Sequence, residues 1–480
     1  MLPLALYDLT LSWAYYALMA AYATTLVVIL GVILSENRNP VKSLAWVTVL
    51  LLLPVVGIVL YIFFGRSIKN QRMISRRNRR RLKKGEHART VDMSSLDLSF
   101  NSLQQIKLAK SLVGTIYYPD NDIEIFTMGT PMFEAFKRDL RAAQKSINIQ
   151  FYIFEDDKLG HEIRDILVER AAAGVTVRVI YDHVGSFKSK DKFFDEMSSH
   201  GVQAYPFFKV AFPPFGTRIN WRNHRKIAVI DGKVGYIGGM NIADRYIDGG
   251  KHRHWRDTHV RLTGPAVGAM HYSFAVDWNF MGQPLIEDEM ESPSSEHGNM
   301  GVQLVPSGPT SQWSNIAFMF QKAIANARQR VYIQTPYFLP TEGLLKALQT
   351  AALAKVDVRI MMPRRSDSTM LRFASFSYIA ECLQSGIKFY LYNEGMLHAK
   401  TMVVDDELSS VGSTNFDFRS FEHNFEANLF VYSKDFNRRM ADIFEQDMSR
   451  CSRVVASAWR RRPYGEKAAE SILRLLSPIL

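Results

Sequence analysis

The 480-residue sequence predicts an α/β protein, two duplicated halves behind an amino-terminal transmembrane helical hairpin. Three observations carry that prediction. Two long uncharged stretches open the chain, a strand–helix–strand pattern recurs at an offset of 184 residues, and one short motif occurs once in each half.

The first uncharged stretch runs from Leu9 to Ser35, 27 residues, and the second from Ser43 to Gly65, 23 residues. Each exceeds the ~20 residues that carry a helix across a hydrocarbon core of about 30 Å. A cleaved signal peptide would place Lys or Arg ahead of its apolar stretch, and "MLPLALYD" has neither. The expectation is a domain of residues 1–65 holding two spanning helices, about 9–35 and 43–65, with Pro54 kinking the second. The loop "ENRNPVK" between them carries only Arg38 and Lys42, whereas residues 66–84 hold ten Lys/Arg and no acid. The positive-inside rule then sets residue 66 onward in the cytoplasm, with the amino terminus on the same side. A basic strip directly against a span favours anionic lipid head groups, at about 1 kcal/mol per residue.

That strip also changes the meaning of the overall charge. The chain carries 59 basic and 47 acidic residues, a net +12, and removing the strip's +10 leaves +2. A nearly neutral remainder argues against a nucleic-acid partner. With 47% apolar and 12% aromatic residues the chain can fill large cores, which excludes global disorder. Two cysteines, Cys382 and Cys451, cannot form a disulfide framework and fit a reducing compartment.

After a basic juxtamembrane segment and linker, 66–110, the repeat begins: a first half over 111–300 and a second over 301–480, the latter with an amphipathic end. "SINIQFYIFEDDKLGHEIRDILVERAAAGVTVRVIYD" and "RVYIQTPYFLPTEGLLKALQTAALAKVDVRIMMP" each read strand, helix, strand. Units this long are duplicated domains, because solenoid repeats run about 20–50 residues.

The motif is H-x-K-x-x-x-x-D-x-x-x-x-x-x-G-(G/S)-x-N. The first half supplies His224, Lys226, Asp231 and Asn241; the second supplies His398, Lys400, Asp405, Ser413 and Asn415. His and Lys two apart on a strand project to one face, where the lysine is a point charge for a phosphate. Two such pairs around one anion suit phosphoryl transfer, which needs positioning and charge stabilisation. One imidazole can attack phosphorus while the other, as imidazolium, protonates the departing alkoxide. Asn241, Asn415 and Ser413 can donate to the non-bridging oxygens. Asp231 and Asp405 stand in turn sequences, "DGK" and "DDE", where turn stabilisation is an equally ordinary role. No metal or nucleotide cofactor is expected: no ligand-spaced acidic or Cys/His cluster and no Walker-type loop occurs.

The duplicated motif resembles the phospholipase D superfamily and, within it, the bacterial cardiolipin synthases. "NRNPVKSLAWVTVLLLPVVGIVLYIFFGR", "HWRDTHVRLTGPAV", "VGSTNFDFRSFEHNFEAN" and the tail "RLLSPIL" carry the likeness over essentially the whole chain. The resemblance implies two phospholipase D-like halves packed pseudo-symmetrically around one site, anchored in the bacterial inner membrane. It implies His224 as nucleophile and His398 as general acid/base, with Lys226 and Lys400 beside them. Asp257 and Glu426 are the implied carboxylates that orient the histidines, Glu422 being a competing choice. The implied reaction joins two phosphatidylglycerol molecules into cardiolipin and releases glycerol. Phosphatidylethanolamine as donor stays open, as does a phosphodiesterase (lipid hydrolase or nuclease) that uses water as acceptor. The oligomeric state is not legible in the residues. The basic, aromatic "KVAFPPFGTRINWR" reads as a lipid-facing lip or as a loop packed on its own domain.

Overall fold

The computed structural model describes residues 2–35, 40–53, 56–61, 65, 68–69, 71–84, 96–210, 220–286 and 298–477. Pro54, Arg38 of the first loop, lip residues 211–219 and the last three residues lie outside these. The chain divides into two compact units, residues 1–68 with 211–220, and 69–210 with 221–480.

In the first unit a helix runs Leu2–Ser35, and its window Trp13–Gly31 is long and apolar enough to cross a membrane. Thr24 and Thr25 bond back to the carbonyls of Ala20 and Ala21 at 2.8 Å each, so their hydroxyls are satisfied inside the helix. Trp13, Tyr15, Tyr16, Leu18, Val27 and Val28 leave its apolar side exposed.

Among the described residues the second span expected over 43–65 is not one continuous helix. It is divided into Pro40–Leu52 and Val56–Leu60. On a straight helix Trp46 and Tyr61 would stand about 22 Å apart. Their rings meet edge to face at 5.3 Å, so the chain folds back on itself. Gly57 lies so close to the first piece that a β-carbon there would stand 2.8 Å from the Val49 carbonyl oxygen. Among the described residues one helix, not two, has the length and apolarity of a span.

The second unit is organised by a single sixteen-stranded sheet with helices on both faces. In the first half, fully buried Ser146–Phe151 pairs parallel with Thr176–Asp182 through the helix Lys158–Ala172. Asp157 caps that helix by accepting from Gly160 N–H at 2.9 Å. The second half repeats this with Arg330–Gln334, the helix Glu342–Leu353 and Asp357–Pro363. Each first strand also pairs antiparallel with a motif strand, Ile227–Ile230 or Thr401–Val404. These motif strands turn into Val234–Gly238 and Leu408–Gly412.

The halves fuse edge to edge where Tyr118–Phe126 pairs antiparallel with Met300–Ser307, Tyr118 opposite Val302. Two short parallel ladders then cross between halves. Arg222–Asn223 lies against Asn424–Phe425, and Trp255–Arg256 against Met396–Leu397. Each histidine segment is therefore stitched to the other half, which sets the chemistry of the site.

Candidate active site

His224 N–H donates to the Phe425 carbonyl at 2.9 Å, and His398 N–H to the Arg256 carbonyl at 2.7 Å, so the cross-half ladders continue into both histidines. The residue after each of those carbonyls carries a carboxylate: Glu426 and Asp257. The pairing is consequently reciprocal. His224 Nδ1 lies 2.9 Å from Glu426 Oε1, and His398 Nδ1 lies 2.7 Å from Asp257 Oδ2. A carboxylate only accepts, so Nδ1 carries the proton in each ring, leaving the free lone pair on Nε2.

Two different devices hold those carboxylates. Ser413 Oγ donates to Glu426 Oε2 at 2.5 Å, and Asn424 Nδ2 to Oε1 at 3.3 Å. At the matching place in the first half stands Gly239, and a β-carbon there would fall 2.1 Å from Asp257 Oδ1. The glycine vacates the space that Asp257 fills. The G-(G/S) variation in the motif thus records which carboxylate follows: a serine to bond the longer glutamate, a glycine to admit the aspartate.

The two lysines are buried behind the histidines. Lys226 Nζ donates to the His224 carbonyl at 2.6 Å and sits 5.2 Å from the Tyr152 ring, which meets the His224 ring edge to face at 4.8 Å. Lys400 Nζ donates to the His398 carbonyl and stands 3.9 Å from Asp257. It also lies 2.7 Å from His398 Nδ1, but a nitrogen that donates to Asp257 has no lone pair left for Lys400.

Burial pushes the His224 imidazole down to about 4, with Lys226 adding to the effect and Glu426 opposing it. That leaves a neutral ring across physiological pH. Burial and Lys400 also lower His398, against the pull of Asp257. Burial pushes Lys400 down to about 8 and Lys226 well below the usual lysine range. Burial raises the carboxyls of Asp257 and Glu426, but the adjacent cations more than offset this and hold both below the ordinary range. The centre thus sets two buried lysines and two ionised carboxylates around the histidines, charges that are costly to bury unless paired.

His224, His398, Asn241 and Asn415 line one cavity of about 260 Å³. Asn415 Oδ1 is buried with no hydrogen-bond partner among the described residues. Asn241 is already engaged, accepting from Ile153 N–H at 3.1 Å and donating to Tyr246 Oη at 2.6 Å. Ser413 is committed to Glu426 rather than to a substrate oxygen.

Asp231 and Asp405, grouped with the histidines by motif spacing, are not brought to the cavity. Asp231 accepts from the N–H groups of Gln144, Lys145 and Ser146 at 2.9, 2.7 and 2.9 Å. Asp405 does the same for Arg328, Gln329 and Arg330 at 3.0, 2.8 and 3.1 Å. Both have positive φ, 53° and 48°, a conformation Asp tolerates in tight turns. They pin the start of the central strand of each half. Glu422 faces elsewhere, accepting from Ser314 Oγ at 2.5 Å and pairing with Lys69 at 3.4 Å.

Several cavity residues fall outside the motif: Tyr152, Arg222, Arg245, Tyr246, Tyr337, Asp367 and Arg419. Arg222 was within reach of sequence reasoning, because it continues the alternation of His224 and Lys226 along one extended face. The others come from loops and helix ends with no periodic signal.

The family described as "Cardiolipin synthase, PLD-like domain" matches twice, over residues 136–268 and 320–448. A second, described as "Phospholipase_D-nuclease N-terminal", matches residues 22–66. Cardiolipin synthase 2 of Bacillus cereus is 39% identical over 461 residues, covering 94% of this chain and 89% of its own. The major cardiolipin synthase of Bacillus subtilis is 37% identical, covering 94% and 96%. Among solved structures, phosphatidylserine synthase of Haemophilus influenzae superposes with a TM-score of 0.60 at 13% identity. That match covers 78% of this chain and 100% of the other, and is a likeness of fold.

Proposed function

The chain belongs to the cardiolipin synthase family of phospholipase D-like proteins, and on that premise we propose that it condenses two phosphatidylglycerol molecules into cardiolipin and glycerol. The observation that carries the reading is the reciprocal pairing of two His–carboxylate dyads, each backed by a buried lysine, around one cavity.

In the first step His224 Nε2 attacks the phosphorus of one lipid. The bond from phosphorus to the head-group oxygen breaks, and His398 gives that oxygen its proton, releasing glycerol. In the second step His398 Nε2 takes the proton of the terminal hydroxyl of a second phosphatidylglycerol. That oxygen attacks phosphorus, the phosphorus–nitrogen bond breaks, and His224 is restored. Glu426 and Asp257 hold the tautomers and stabilise the imidazolium forms, while Lys226 and Lys400 offset the charge of the phosphoryl oxygens. Bonds broken and formed are of the same kind, so no nucleotide drives the reaction.

The amino-terminal helix anchors the chain where its substrates reside, and the basic strip of residues 66–84 holds the catalytic unit on the cytoplasmic face. The test is detergent-purified protein with phosphatidylglycerol alone, read by mass spectrometry. Cardiolipin and glycerol should appear together and vanish in His224→Ala and His398→Ala. Phosphatidic acid as the sole lipid product would overturn the transferase reading in favour of a hydrolase.

A further inference from the structure

The duplicated motif is symmetric, but the cavity around it is not. Beside His224 stand the cations Arg222 and Arg419; the residue matching Arg222 in the second half is buried, apolar Met396. On the His398 side the wall carries Asp367, Tyr337 and Tyr246, with the Tyr246 ring 6.1 Å from that of His398. The cation on that side, Arg245, lies 5.7 Å from the Tyr246 ring and is already paired with Glu155 at 2.5 Å.

Asp367 has a particular arrangement. Tyr337 Oη donates to its Oδ1 at 2.7 Å and Ser366 Oγ to the same oxygen at 3.1 Å. Asp367 is solvent-exposed where it borders the cavity, and among the described residues Tyr337 and Ser366 are the side chains that bond it, both at Oδ1. Partial desolvation by the cavity walls raises this carboxyl, but the His398 charge and the Tyr337 bond hold it below the ordinary range, so it is an acceptor rather than a donor. The two halves use the corresponding sequence position differently. Four residues past the strand Thr176–Asp182 of the first half, Ser186 Oγ accepts from Phe154 N–H at 3.0 Å. In the second half Ser375 serves the matching Phe338 N–H at 3.0 Å, and the residue four past the strand Asp357–Pro363 is Asp367.

The in-line geometry of the proposed reaction puts the alcohol opposite the nucleophile, hence at His398. We propose that Asp367, oriented by Tyr337, is the hydroxyl-recognition residue of this cavity, its Oδ2 accepting from the glycerol head that leaves or enters at His398. The inference rests on the phosphatidyl-transfer reading, and it makes Asp367 a specificity residue. When the phosphorus–nitrogen bond breaks and the acceptor oxygen joins phosphorus, the acceptor's proton goes to His398, and Asp367 holds a neighbouring hydroxyl so that this oxygen is in line.

The experiment uses a phosphatidyl ester of p-nitrophenol, a leaving group without hydroxyls, and the full chain in detergent. Glycerol and 1-propanol compete as acceptors, and the readout is the ratio of phosphatidylglycerol to phosphatidylpropanol. Asp367→Ala should shift that ratio toward propanol by roughly tenfold or more, the worth of one hydrogen bond to a charged group. Tyr337→Phe should shift it the same way by less. An unchanged ratio overturns the proposal whatever happens to the total rate. A loss confined to transfer onto ethanolamine, with glycerol transfer kept, also overturns it by assigning the carboxylate to an ammonium. Should Asp367→Ala fail to fold, Asp367→Leu, close in shape and without an acceptor, carries the same ratio measurement. No p-nitrophenol release by the wild-type protein counts against the transfer reading itself, which separates the two failures.

Discussion

Gly239→Ala is the smallest change that tests how His398 is oriented. Gly239 has no positive φ, so alanine meets no backbone strain there. What it meets is Asp257: the new methyl would stand 2.1 Å from Oδ1 and 2.7 Å from Cγ. An ordinary carbon–oxygen contact needs about 3.4 Å, so the carboxylate must retreat by roughly 1.3 Å. It is held at 2.7 Å from His398 Nδ1 and accepts from Thr258 N–H at 2.7 Å, and a retreat of that size breaks the first bond. Misplacing a catalytic group by about 1 Å costs on the order of 10²-fold. The predicted result is a fall in kcat of roughly 10²-fold or more. Stability should change by no more than about 1–3 kcal/mol, because the side chain that gives way is the end of a short flexible one. Phosphatidylglycerol turnover and thermal melting on the same preparation read both. A folded Gly239→Ala protein with near-native turnover would refute the claim that Asp257 positions His398.

The remaining predictions address the other parts of the site. Glu426→Gln keeps shape but removes the charge that His224 and Lys226 face, and should lower kcat by roughly 10²–10⁴-fold, measured by steady-state kinetics. Ser413→Ala removes one of the donors to Glu426 and should cost less than Glu426→Gln in the same assay. Asp231→Ala should act on stability rather than chemistry, lowering it by about 1–2 kcal/mol in thermal melts while the folded fraction keeps its specific activity within a few-fold. Lys400 is protonated below about 8 and neutral above it. Its charge is therefore lost as pH rises, and KM for phosphatidylglycerol should climb through that range. Lys400→Arg should remove this alkaline limb in a pH–KM profile, arginine keeping its charge.

How far the sequence could be read follows from which features are local. The H-x-K spacing and the strand–helix–strand units sit within short windows, and their duplication made the two halves legible, whereas Asp257 and Glu426 came only from the family resemblance. The reciprocal pairing is not local. It depends on Tyr118–Phe126 meeting Met300–Ser307 and on the two cross-half ladders, none of which periodicity encodes. Asp231 and Asp405 show the limit of motif spacing, since sharing a motif with the histidines did not bring their carboxylates to the same place. The second apolar stretch shows another limit: length and hydropathy fit a span, yet its described residues divide into Pro40–Leu52 and Val56–Leu60, with Trp46 against Tyr61. Asp367 carried no signal of its own, because an aspartate in "RRSDS" reads as an ordinary turn until the cavity is seen.

The central claim is a two-step transfer through one histidine, with the other handling the proton. The direct test is to quench the wild-type protein during turnover of phosphatidylglycerol and map the peptides by mass spectrometry. The account predicts a phosphatidyl group on the peptide holding His224, absent from His224→Ala and absent from the His398 peptide. Cardiolipin formation without any adduct, or with the adduct on His398, would contradict it.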